Sequence, residues 1–331
     1  MTDFKKFYSL LFLCLWIGCS ETFELQQHEG YALGTSYHFK YAGSPEEFEL
    51  IQKGIDSLFF EINHSLSTYL KTSDISKINK GDTTIVVDHH FKKVFAKSEA
   101  IWCSTDGNFD PTLGQLVNVY GFGPEKPLNT IDSLTLQKIL TSVGWEKIKL
   151  TAKGKIIKHP STYLDFNAIA KGYAVDCIAN YLQSKGKQSI LVEIGGELMA
   201  LGRNPISGTS WKVAIDDPLQ LNQRRWITTV ELSDQGLATS GNYRKHRTDS
   251  LTGEKYVHSI NPFTGRTVKT NVLSASVLAP DCMTADAWAT ALMVLPLEKG
   301  QELIENDPKL EALWIVVKND SLIQILSSYW K

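Results

Sequence analysis

Asp286 and Thr290 stand four residues apart in Thr284-Ala285-Asp286-Ala287-Trp288-Ala289-Thr290, so on a helix a carboxylate and a hydroxyl share one face, one turn apart. Such hard oxygen donors suit Mg²⁺ or Ca²⁺ and suit zinc poorly. The flanking Ala287 and Ala289 are expected to keep the approach open. Taken alone, the segment reads first as an ordinary helical turn with an acidic residue favoured by the dipole. Asp165-Phe166-Asn167-Ala168-Ile169-Ala170-Lys171-Gly172 reads as a strand-to-helix junction. Unpaired N–H groups and the Lys171 ammonium would draw a phosphate or carboxylate there. A lysine opposes the dipole at a helix start, which hints at an anion nearby, although a solvated surface lysine explains the same residues.

Two further islands combine glycine with polar and aromatic residues. Gly107-Asn108-Phe109-Asp110-Pro111-Thr112, followed by Gly121-Phe122-Gly123, sets an Asp-Pro turn beside an aromatic, which suits a flat ring with a hydrogen-bonding edge. Alone it is a surface turn. Ala238-Thr239-Ser240-Gly241-Asn242-Tyr243 precedes Tyr256-Val257-His258-Ser259-Ile260-Asn261-Pro262-Phe263-Thr264-Gly265. There His258 could donate to a phosphate or transfer a proton, though a single histidine before a turn is more often structural. No G-x-G-x-x-G, phosphate loop, H-E-x-x-H or G-x-S-x-G occurs, which removes the usual support for dehydrogenase, P-loop kinase, zincin and α/β-hydrolase functions.

The elements that must carry these islands follow from periodicity. Tyr31 to Phe39 reads as an aromatic-rich strand with a glycine kink, and Pro45 to Phe60 and Phe91 to Ser104 as helices. Tyr163 to Gly196 reads as strand, helix (Ala168 to Gln183), Gly186 stop and strand (Ser189 to Ile194). Trp211 to Ile215, Trp226 to Leu232 and Leu273 to Leu278 read as further strands, with a helix from Thr284 to Leu295. Strands broken by a few helices predict an α+β fold with flanking helices, not a doubly wound parallel sheet.

The 331 residues carry 43% hydrophobic residues and a formal charge of −2, enough for a sizeable core and without a basic stripe for nucleic acid. Lys5 and Lys6 precede an apolar run from Phe7 to Ile17, an export signal too short to span a bilayer. The run ends in Gly18-Cys19-Ser20, which resembles a lipoprotein cleavage site despite Trp16. Residues 1–18 are thus expected to be a signal peptide, Cys19 the lipidated residue, 19–29 a tether and 30–331 one catalytic domain. A plain secretory peptide or a buried N-terminal helix are the alternatives. Cys103, Cys177 and Cys282 form no disulfide framework and read as buried small hydrophobes.

In this order, the islands resemble the ApbE family of FAD:protein FMN transferases. Leu33-Gly34-Thr35 is similar to its Met-Gly-Thr flavin contact, and Ser67-Thr68-Tyr69 to the segment whose tyrosine stacks on the isoalloxazine. Asn108, Phe109 and Asp110 fall on an FAD-contacting island, Asp165 and Lys171 on the family's Asp and Ala-Lys-Gly positions, and His258 and Ile260 on further cofactor contacts. Asn167 replaces a usual glycine and Asn261 a usual aspartate. The family's metal would be held by the Ala168 carbonyl, Asp286 and Thr290.

The resemblance implies a T-fold-like α+β architecture and Mg²⁺-dependent transfer of FMN from FAD to an acceptor threonine, releasing AMP. Lys171 would assist, and His258 or Asp286 would accept the threonine proton. A FAD pyrophosphatase and a non-enzymatic FAD-binding lipoprotein are the rivals. The implied partner is a membrane redox-pump subunit with a Ser/Thr-Gly-Ala-Thr-like motif. That motif is absent from this chain, so modification would occur in trans, at the periplasmic face of the inner membrane.

Overall fold

The computed structural model describes residues 24–128, 131–219, 225–242, 246–248, 253, 255–319 and 321–330; the expected signal peptide, Cys19 and Tyr243 lie outside these. Strands β1 (Glu24–Ala32) and β2 (Thr35–Gly43) pair antiparallel from Glu24↔Gly43 to Ala32↔Thr35. Leu33 and Gly34 turn the hairpin at φ 51° and 77°, the left-handed pair that a two-residue type I′ turn requires. Two expectations change here. Residues 31–39 are two strands folded on each other, not one kinked strand, and residues 24–29 belong to β1, not to a tether.

A short 3₁₀ turn leads into α1 (Phe48–Leu66), whose buried Ile51, Ile55, Phe59 and Ile62 recur at helical spacing. Next come α2 (Asp74–Asn79) and α3 (His89–Ser104), the latter capped by Asp88, which accepts from Phe91 N–H over 2.8 Å. Helices α4 (Gly114–Val119) and α5 (Ser133–Leu140) share a small core with Tyr256 and Ile260. The β3 (Ile148–Leu150) and β4 (Ile156–Lys158) pair precedes α6 (Ala170–Ser184). The expected strand before α6 is only a parallel bridge, Leu113↔Tyr163. Helix α6 stops at Gly186 (φ 77°), where Lys187 N–H returns to the Leu182 carbonyl.

The rest of the chain is β5 (Ile190–Ile194), β6 (Glu197–Leu201), β7 (Trp211–Asp216), β8 (Trp226–Leu232), β9 (Gln235–Gly241), β10 (His246–Thr248), β11 (Lys255–Val257), β12 (Val272–Ala279), α7 (Cys282–Leu292), α8 (Leu297–Glu305), β13 (Glu311–Lys318) and β14 (Ser321–Leu326). Eight strands form one sheet in the order β1-β2-β5-β6-β9-β12-β13-β14, every neighbouring pair antiparallel. The α+β expectation therefore holds.

Side chains that alternate along the strands divide the molecule. Ile190, Val192, Ile194 and Ala275 join the core with α1, α3, α6 and α7, while Leu191, Leu278 and Leu313 meet the β7–β8 hairpin on the opposite face. Helix α7 lies against β9 and β12 with Ala285, Ala287, Ala289 and Ala291 wholly buried. Those alanines let the helix approach the sheet; they do not open a path to solvent, as the sequence suggested. No described helix is long and apolar enough to cross a membrane.

Candidate functional site

Helices α6 and α7 touch at their backbones. Gly172 N–H donates to Asp286 Oδ2 over 3.0 Å. A Cβ on Gly172 would lie 2.4 Å from the Cys282 carbonyl oxygen, so only glycine permits this approach. One turn along α6, Asp176 accepts from the N–H groups of Cys282 (2.8 Å) and Met283 (2.9 Å). Asp281 caps the same helix through Thr284 N–H (2.7 Å), and Lys97 of α3 donates to Asp281 (3.2 Å) and Thr284 Oγ1 (2.8 Å). These bonds set the start of α7, and with it Asp286. Thr290, a turn further, lies 3.3 Å from Ser240 Oγ of β9.

Lys171 pairs with Glu197. At the helix start, where its charge opposes the dipole, Lys171 thus has an internal carboxylate beside it. Glu197 is 4% exposed, and its Oε2 has no hydrogen-bond partner among the described residues. Burial works against the Lys171 charge, but Glu197 and then Asp286 outweigh it and hold the ammonium above its usual range. Burial likewise pushes Asp286 up, opposed by Lys171 and the Gly172 N–H. Sequence reasoning missed Glu197. Its signal was a charged residue entering a strand directly after Gly195-Gly196, both at positive φ (64° and 107°). Gly195 N–H donates to the Ser36 carbonyl (3.0 Å), which brings this turn beside the β1–β2 hairpin.

The other islands are joined by a chain of contacts. Asp110 Oδ1 accepts from Thr112 N–H (2.8 Å) and Oγ1–H (2.6 Å), and burial, against these bonds, pushes its carboxyl up to about 6. Asp165 N–H donates to the Pro111 carbonyl (2.8 Å), and Asp165 Oδ1 accepts from Asn167 N–H (2.8 Å). Asn167 Nδ2 reaches Thr68 Oγ1 at 3.4 Å, so the residue in the usual glycine position ties the junction to the Tyr69 segment. Tyr69 OH donates to the Phe122 carbonyl (3.0 Å), and the Phe122 ring meets the His258 ring edge-on at 6.3 Å. Ser259 Oγ donates to Asn242 (2.8 Å), just past the end of β9, the strand that carries Ser240.

The single side chains divide by exposure. Tyr69 shows a ring face at 59% exposure, Leu33 and His258 are half-buried, and Asn108 is tied by Nδ2 to the Thr105 carbonyl (2.9 Å). Phe109 is 2% exposed and packed in the main core, and Ile260 lies in the α4–α5 core. Both side chains are taken up by core packing, so a ligand contact at either residue would fall to main chain. Asn261 Oδ1 accepts from Phe263 and Thr264 N–H, each at 3.0 Å, so asparagine holds the turn where an aspartate was usual. Cys103 is exposed, against expectation; Cys177 is half-buried and Cys282 buried.

Among the described residues, no three His, Cys, Asp or Glu side chains gather to hold a metal. The donors expected from the sequence are oxygens of mixed kind. Asp286 has one oxygen on Gly172 N–H and the other uncommitted, Thr290 offers a hydroxyl, and Ala168 a carbonyl in the turn before α6. This set fits a hard, oxygen-preferring divalent cation.

The ApbE family model matches residues 33–314. A FAD:protein FMN transferase of Vibrio cholerae is 36% identical over 98% of this chain and 97% of its own length, and one of Escherichia coli K12 is 31% identical over 92% and 87%. The solved flavin transferase ApbE from Vibrio cholerae superposes with a TM-score of 0.83 at 34% identity, covering 92% of this chain and 98% of that one. The Pseudomonas stutzeri flavinyl transferase ApbE superposes at 0.82 with 29% identity, covering 92% and 95%. With the fold, the islands and the matched span in agreement, this chain belongs to the ApbE family.

Proposed function

We propose that the chain transfers FMN from FAD to a threonine hydroxyl of an acceptor protein, with Mg²⁺ bound and AMP released. The observation that carries this is the α6–α7 junction. The Gly172–Asp286 bond sets a carboxylate beside Lys171, a short way along the chain from Asp165 and the contacts that lead to Tyr69 and His258. Tyr69 offers a stacking face to the isoalloxazine, and Lys171 a charge to the pyrophosphate.

Asp286, Thr290 and the Ala168 carbonyl would hold the cation. Bound there, Mg²⁺ would polarise the pyrophosphate and neutralise charge as AMP departs. The acceptor oxygen forms a bond to the FMN phosphorus, the bond to the AMP phosphate breaks, and the threonine proton passes to a base. His258 takes that role in this reading, because Asp286 is buried and has one oxygen committed to Gly172. Export is part of the proposal: Cys19 carries a lipid, and the domain works at the periplasmic face of the inner membrane on a redox-pump subunit.

The test incubates the protein with FAD, Mg²⁺ and an acceptor domain that carries a Ser-Gly-Ala-Thr motif, then denatures it and seeks an FMN mass shift on the acceptor. Label that disappears with EDTA and with Asp286→Ala supports transfer. Free FMN and AMP with an acceptor that another transferase can label would move the assignment to a pyrophosphatase, and intact FAD to a binding protein.

A further inference from the structure

Three elements meet at one ion cluster: Lys171 at the start of α6, Glu197 at the start of β6 and Asp286 on α7. Lys171 and Glu197 each feel the charge of the other two, and Asp286 feels that of Lys171. With two carboxylates and one ammonium, the formal sum is one negative charge in a largely buried place. Lys171 has two acids within reach and pairs with Glu197. Among the described residues, Asp286 accepts Gly172 N–H on Oδ2 and no hydrogen bond on Oδ1. The Glu197 carboxylate is 4% exposed and keeps Oε2 unpartnered, a costly arrangement unless the group is there for its charge.

We propose that Glu197 is a positioning residue that holds the Lys171 ammonium off Asp286, so that the Asp286 carboxylate stays available to a divalent cation. Without Glu197, the remaining carboxylate is Asp286, and the flexible lysine stem lets the ammonium turn onto it. An internal ion pair then occupies the oxygen that the cation needs. The inference rests on the cation site proposed above and assigns a task to a residue outside its donor set.

The test measures Mn²⁺ binding by the loss of its free electron paramagnetic resonance signal, with Mg²⁺ as competitor, on the full-length protein without FAD. Glu197→Gln should weaken binding about ten-fold or more, the range found when a partner behind a metal ligand is lost. Glu197→Asp keeps the charge but shortens the reach to Lys171 and should weaken it as well. Adding Lys171→Met to Glu197→Gln should return the affinity to near the wild-type value, since no ammonium is left to capture Asp286.

Unchanged binding in Glu197→Gln overturns the proposal, and wild-type binding in Glu197→Asp reduces the role to bulk charge, which also overturns it. A double variant as weak as Glu197→Gln would make Glu197 itself a ligand and overturn it too. If the Glu197 variants melt below the assay temperature, Lys171→Met alone decides: binding at or above the wild-type affinity supports the proposal, weaker binding sinks it. Wild-type protein that binds no Mn²⁺, or binds it equally after Asp286→Asn, removes the cation site itself and this inference with it.

Discussion

Gly172 and Asp286, separated by 114 residues, are joined by a 3.0 Å hydrogen bond from main chain to side chain. The bond exists because glycine lets α6 come within contact of the Cys282 carbonyl. Gly172→Ala puts a methyl 2.4 Å from that oxygen and 2.8 Å from Asp286 Cβ, and two helix backbones must move apart. The expected cost is about 1–3 kcal/mol, as for other overpacked interiors, read as a lowered melting temperature together with loss of FMN transfer. An unchanged melt would mean that the helices separate freely.

Tyr69 is half uncovered and fixed at its hydroxyl by the Phe122 carbonyl. Tyr69→Ala should weaken FAD binding roughly ten-fold or more, in line with about 1–3 kcal/mol for stacking a flat ring on an aromatic side chain. Tyr69→Phe keeps the ring and should stay close to wild type. Flavin fluorescence quenching reads both, and equal losses would shift the effect from the ring to the hydroxyl.

Leu33 occupies the left-handed region at φ 51°, where a leucine is strained and an asparagine is tolerated. Leu33→Asn should raise stability by about 1 kcal/mol, the low end of the cost of holding such strain. If Leu33 contacts the flavin, as its motif position implies, the variant should also weaken FAD binding, since that aliphatic contact would be lost. A thermal melt and a flavin titration on the same sample check the two opposite changes.

Asp110 gives a pH signature. Its folded carboxyl titrates at about 6, above the ordinary carboxylate value, so the fold binds that proton more tightly than the unfolded chain does. The resulting stability is complete below the unfolded pKa and is lost as the pH rises through 6. Asp110→Asn keeps an accepting oxygen for Thr112 and removes the titration. The stability of the variant, followed by thermal melts, should therefore gain on wild type between pH 4 and 6, by an amount on the order of 1 kcal/mol or more, and the difference should stay level above 7. Buried His28 and His90, whose pKa values burial lowers, pull the other way in both proteins and cancel in the comparison.

What was legible in the sequence was local. The Gly186 stop, the spacing of α1 and the polar-glycine islands each depend on residues close in the chain. Glu197 was hidden because its task depends on Lys171, which lies 26 residues away, and a carboxylate at a strand start has no period. The same holds for Asp176, which reaches across to cap α7 from α6. Leu33-Gly34 reads as a kink when only one strand is in view and as a hairpin turn once Glu24–Ala32 is seen to pair with Thr35–Gly43. Phe109 and Ile260 were placed with the flavin on motif position, and the burial of their side chains follows from packing that no motif encodes.

The early start of β1 would also limit where a protein anchored at Cys19 could act. With Cys19 as the lipid-bearing residue, as proposed, only residues 20–23 separate it from the first residue of an edge strand. Even fully extended, a leash of that length spans roughly 17 Å from Cys19 to Glu24. The domain would then skim the bilayer instead of roaming above it, and its acceptors would need their threonines within one protein diameter of the lipid surface.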